Sequence, residues 1–336
     1  RRIMESVLKI VCCYRDIEIK ENYSQLTLGN LINCVKKIEK PEVKHILNKM
    51  PELLKDMNKV QKWLKSIGRK TENTRFEKAK NNCMVIINYY ENNNMDNINK
   101  EMKYEEINET FSTCMDYVSI YRNLSKFDKN HLPKRKIKDS LLGPFLKKAE
   151  VGNKGDNHAK NILFELEMAS LLLGSKIKVE GFDDVKFKFN SYKFYIECKR
   201  PLSDNSFKNN MDKAYNQLKN KLQDEKDRGI IAISLDSVFG KEENIISKIL
   251  IAENKFALLK READLVNNFV RKHQNIWLNF NYPKIVGIFF RFNFMSFLKE
   301  ENIFTERHGI HVQRLYRASN DEVILQKLVK QLDKYS

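Results

Sequence analysis

No Cys-x-x-Cys pair occurs among the six cysteines, Cys12, Cys13, Cys34, Cys83, Cys114 and Cys198, and the chain has only six histidines. The usual zinc-binding spacings are therefore missing. Scattered thiols of this kind suit a reducing compartment, where buried cysteines pack as small hydrophobes, so a cytoplasmic location is expected. No apolar run is long enough to cross a bilayer and no secretory signal is recognisable, so no membrane partner is expected. The absence of a glycine-rich phosphate loop of the P-loop kind argues against ATP hydrolysis. No internal repeat is evident either.

Positive charge is what the chain has in excess. Across 336 residues, 61 Lys and Arg face 44 Asp and Glu, a formal net charge of +17. Such a bias favours a polyanionic partner, nucleic acid ahead of an acidic membrane. The competing reading is a solvated surface in a chain rich in Lys and Asn. Hydrophobic residues make up 42%, an ordinary share that excludes wholesale disorder. The length suits one large domain or two to three smaller ones.

Residues 1–130 read as a helical region for nucleic-acid or partner binding, or for oligomerisation. "VKHILNKMPELLKDMNKVQKWLKSI" places Leu53, Leu54, Met57, Val60, Trp63 and Leu64 at spacings of three and four, the mark of an amphipathic helix. Pro51 is expected to divide or kink it. "FEKAKNNCMVIINYYENNN" and "EEINETFSTCMDYVSIYRNL" read as two more helices. Residues 131–156 are basic and punctuated by Pro and Gly, which reads as a linker carrying a short helix.

The most ordered pattern follows, over residues 157–336. "HAKNILFELEMASLLL" is a helix with Asp156 or Asn157 as its cap. "KIKVE" is a short strand, and "DDVKFKF" and "KFYIECK" form a hairpin across "NSY". "FKNNMDKAYNQLKNKLQDEKD" is a long helix and "GIIAISLD" a buried strand. Beyond these, "IISKILIAENKFALLKREADLVNNFVRKH" reads as helical, "KIVGIFFRFNFMSFL" and "GIHVQRLYRA" as strands, and "DEVILQKLVKQLDKY" as a closing helix.

Within "FYIECKRP", strand alternation puts Glu197 and Lys199 on one face and Phe194, Ile196 and Cys198 on the other, as in a half-buried strand. Glu-x-Lys is common here, at Glu18, Glu42, Glu101 and Glu253, where it reads as a surface pair. At Glu197 the context differs. The hairpin can bring Asp184 beside Glu197, and two carboxylates held together repel unless a cation joins them. Carboxylate oxygens, waters and a phosphate are what Mg²⁺ prefers. Lys199 offers an ammonium for developing charge. The preceding helix offers Glu165, and the following one Gln217 between Lys213 and Lys221.

These residues resemble the PD-(D/E)XK nuclease superfamily, the restriction-endonuclease-like fold. The matching pieces are the Glu of "FELEMASLL", Asp184 of "DDV", the "IECK" strand end and the Gln of "AYNQLKNKL", in the order helix, three strands, helix, strand. The resemblance covers residues 157–236, and Asp183 stands where the family often has proline. It implies an α/β fold with a central mixed sheet flanked by helices, and metal-dependent hydrolysis of phosphodiester bonds. Asp184, Glu197 and the main-chain carbonyl of Cys198 would bind Mg²⁺, or Mn²⁺ in its place. Lys199 would assist the attacking water. Glu165 would complete the metal shell, with Glu167 its rival, and Gln217 would support the site or touch the backbone of the nucleic acid. DNA is expected ahead of RNA, in a defence effector acting on phage or foreign DNA and gated by a partner. The alternative is a catalytically silent nucleic-acid-binding or assembly protein that keeps the fold.

Overall fold

The computed structural model describes residues 44–92, 98–146, 158–238, 249–300, 303–315 and 320–333. Cys12, Cys13, Cys34 and the expected helix caps Asp156 and Asn157 lie outside these ranges. Three helices open the described chain: α1 (Lys44–Ser66), α2 (Arg75–Glu91) and α3 (Tyr104–Leu124), the last preceded by a single turn, Ile98–Glu101. The expected apolar stripe of α1 is buried at Met57, Val60, Trp63 and Leu64. The helix runs unbroken through Pro51 instead of dividing there. The proline removes one amide donor, a loss that the burial of a long apolar face outweighs.

The stretch read as a basic linker contains α4 (Lys134–Ser140). Ile137 and Leu141 bury it in the same cluster as α1–α3. The Tyr117 hydroxyl of α3 donates to the Ser140 carbonyl at 2.7 Å. α5 (His158–Gly174) then works on two sides. Ile162, Leu163 and Leu166 complete the core of the helical region. Phe164, Met168, Ala169 and Leu172 pack onto the sheet. A helix that is apolar nearly all round is one buried all round, which explains the composition of "ILFELEMASLLL".

The sheet begins as an antiparallel meander, β1 (Val179–Gly181), β2 (Val185–Phe189) and β3 (Tyr192–Lys199). Phe189 pairs with Tyr192, so only Asn190 and Ser191 form the turn, with Asn190 at φ 53°. Asparagine is among the residues that tolerate this left-handed region. α6 (Asp204–Lys221) carries the chain over to β4 (Asp227–Ser234), which lies parallel to β3. β3 is therefore internal, and it is buried on both faces where alternation alone suggested one. Phe194, Ile196 and Cys198 meet α5. Tyr195 shares the opposite core with Phe207, Met211, Ala214 and Leu218 of α6.

The rest of the chain extends the same sheet with β5 (Ile249–Ala252), α7 (Lys255–Leu278), β6 (Ile285–Leu298), β7 (Ile303–Arg314) and α8 (Asn320–Asp333). β5 corrects the reading of "IISKILIAENKF" as helix: the apolar run "ILIA" is a strand, and α7 starts only after Asn254 caps it. β6 pairs in parallel with β4 and, over its last four residues, with β5. β7 returns antiparallel along it. The result is a mixed α/β architecture, one seven-stranded sheet of order β1-β2-β3-β4-β6-β5 with β7 beside β6. Among the described residues no helix is long and apolar enough to cross a membrane.

Candidate active site

Asp184 and Glu197 meet at one end of the β2–β3 hairpin. Val185 pairs with Ile196, so Asp184 stands one register step further on, opposite Glu197. Its backbone is left-handed, φ 55°, which a short polar side chain tolerates better than a bulky one. Its neighbour Asp183 has a side chain 99% exposed, whereas that of Asp184 is 32% exposed. The turn thus directs Asp184, not Asp183, toward the hairpin. Glu197 is 4% exposed, and a buried carboxylate needs charged partners.

Two lysines supply them. The Lys199 ammonium donates to Glu197 Oε1 at 2.5 Å. Lys221, the last residue of α6, donates to Glu197 Oε2 at 2.8 Å and to Asp184 Oδ2 at 2.5 Å. One nitrogen therefore joins both carboxylates. Burial pushes the Asp184 carboxyl up, but the bond and charge of Lys221 outweigh it and hold its pKa below the ordinary value. Burial likewise disfavours the Lys221 ammonium, and its bonds to Asp184 and Glu197 prevail, so its pKa is raised.

Glu165 of α5 forms an ion pair with Lys136 of α4, and the same ammonium lies 3.7 Å from Asp183. α4 thus closes one side of the site. Cys198 is buried in the core on the α5 side of β3, and burial, with the charges of Glu165 and Glu197 adding to it, pushes its thiol far above the usual range. Glu167 is directed elsewhere. It pairs with Arg291 of β6 at 2.9 Å, in a cluster that also contains Asp116 of α3 and Asp236. Two helical positions differ by about 200° in direction, and this separates Glu165 from its rival. Gln217 is exposed on α6; Lys221, one turn later on the same stripe, is the residue that reaches the carboxylates. Lys221 and Lys136 are the participants that sequence reasoning left unassigned.

No family model, curated protein or solved structure matches the chain. Among the described residues no group of three or more His, Cys, Asp and Glu is arranged to hold a metal ion. Asp184 and Glu197 fit a smaller role. Their oxygens are hard donors and already share one cation, the Lys221 ammonium. Mg²⁺ bound through one or two carboxylates keeps several waters, and this pair suits that mode.

Proposed function

We propose that the chain is a metal-dependent phosphodiesterase acting on nucleic acid, with Mg²⁺ as its ion, Mn²⁺ able to replace it, and DNA the first substrate to test. The observation that carries this reading is the convergence of Asp184, Glu197 and Lys199 at one end of the β2–β3 hairpin. The order α5-β1-β2-β3-α6-β4, with β3 and β4 parallel, supports the resemblance to the PD-(D/E)XK superfamily. The net charge of +17 suits a polyanionic substrate.

In this reading Asp184 and Glu197 hold the ion through carboxylate oxygens. When bound, the ion supplies Lewis acidity at the scissile phosphate. Lys199, seated against Glu197 Oε1, orients the attacking water and offsets charge building on the phosphate. Lys136 holds Glu165 and reaches toward Asp183, so α4 links that carboxylate to the turn before β2.

The test is cleavage of supercoiled plasmid, linear duplex, single-stranded DNA and RNA in Mg²⁺, Mn²⁺ or EDTA. Cutting is expected only with metal, and Lys199→Ala and Asp184→Ala should each lower the rate by about 10²-fold or more. A second reading, a silent nucleic-acid-binding protein, is favoured by one observation: Lys221 and Lys199 together balance the charges of Asp184 and Glu197. Binding of nucleic acid with no cutting by any of the three proteins would select it.

A further inference from the structure

We infer that Lys221 is a built-in competitor for the cation position between Asp184 and Glu197, and that metal enters by displacing its ammonium. The inference rests on the nuclease reading above. Its basis is that one nitrogen takes an oxygen from each carboxylate, at 2.5 and 2.8 Å. A divalent ion that uses those oxygens must sit about 2.0–2.1 Å from them, in the space the ammonium fills. Two cations that close together repel strongly, so they exclude each other.

The two lysines differ in this respect. Lys199 bonds the other oxygen of Glu197, Oε1, and leaves Oε2 to a neighbour, so it can stay when an ion arrives. Lys221 cannot stay, but it can leave. It ends α6, and its side chain is 30% exposed. A four-carbon stem carries the ammonium out to water by rotation alone. While in place it offsets the repulsion that would otherwise push Asp184 away from the buried Glu197. Loading is then an exchange of one cation for another in a site already assembled. Once released, the ammonium is available to pair with a phosphate; where it does so, nucleic acid should tighten metal binding, and metal should tighten nucleic-acid binding by the same factor.

The test is Mn²⁺ titration of the full chain by calorimetry, without nucleic acid. Lys221→Met keeps the length of the stem and removes the charge; Lys221→Gln serves where the methionine variant does not fold. Lys221→Arg keeps the charge, and Lys219→Met removes an exposed charge from the same helix. Loss of a competitor should tighten Mn²⁺ binding by about tenfold or more in the methionine or glutamine variant, with the arginine and Lys219 variants near the native value. A lysine that only supports the fold would act in the opposite direction, since its loss would let the carboxylates spread. Equal or weaker binding in the uncharged variants overturns the inference and leaves the nuclease reading standing. Binding by an uncharged variant alone supports the inference and moves the native chain to the silent reading. No binding by any variant overturns the inference, and the cleavage assay then decides the nuclease reading.

Discussion

At the scale of single residues, the ionisable groups on the two sides of α5 respond to pH in opposite directions. Glu167 shares one guanidinium, Arg291, with Asp116 and Asp236. Burial raises its pKa most, the charge of Arg291 opposes this, and Asp116 raises it further, so it titrates well above its ordinary 4.5. The neighbouring carboxylates of Asp116 and Asp236 add to burial in favouring the protonated form of Glu167, against the charge of Arg291. A folded pKa above the unfolded one gives stability that is complete below the unfolded value and lost as pH rises through the folded value. Glu167→Gln imitates the protonated form. Its melting temperature should therefore pull ahead of the native chain's as pH rises, and melting curves that stay parallel across the pH series would rule this out. Asp184 has the other sign. Its depressed pKa gives stability above the unfolded value that fades as pH falls through the folded one.

At the scale of elements, α4 is only seven residues long and depends on its anchors. Ile137 and Leu141 bury it, and the Tyr117 hydroxyl holds the Ser140 carbonyl. That phenol is buried enough for its pKa to rise to about 12, so it stays a donor. Tyr117→Phe should cost about 1–2 kcal/mol in urea unfolding, because it strands a buried carbonyl. It should also loosen Lys136 from Glu165. The core elements were legible in the sequence because their periods are strong: alternation in "DDVKFKF" and "KFYIECK", and an unbroken apolar run in "GIIAISLD". β5 was not, since four apolar residues directly before an amphipathic helix fit its stripe as well as they fit a strand. The Asp184–Glu197–Lys199 grouping followed from alternation plus a hairpin. Glu165 and Glu167 could not be separated, because that choice depends on how α5 rotates between two cores. Lys221 went unassigned for a related reason: a stripe of Lys213, Gln217 and Lys221 shows which side of the helix faces the site, but not which turn lies level with the strand end.

At the scale of the whole molecule, the helical region and the sheet share structure through α5. Ile162, Leu163 and Leu166 belong to the core of α1–α4. Buried ion pairs cross the same junction: Lys160 of α5 to Glu109 of α3 at 2.9 Å, and Arg291 of β6 to Asp116 of α3 at 3.6 Å. A helix built into two cores makes them unfold together. The chain has two tryptophans, both buried, Trp63 with α1–α4 and Trp277 of α7 against Phe290 of β6. Fluorescence of Trp277→Phe and Trp63→Phe should therefore report each half separately, with urea midpoints that each track the midpoint from circular dichroism of the same variant. A fluorescence midpoint that departs from the far-ultraviolet one would show two independent units. The burial of β3 on both faces bears on insertions and deletions. One residue removed from the Asn190–Ser191 turn, or added to it and passed into the strand pairing, would reverse every side chain in β3 relative to β2. Glu197 would then point among Phe164 and Met168, and Cys198 would take its place beside Lys221. Within this hairpin the turn is constrained twice over, in its length and, at Asn190 with φ 53°, in its composition.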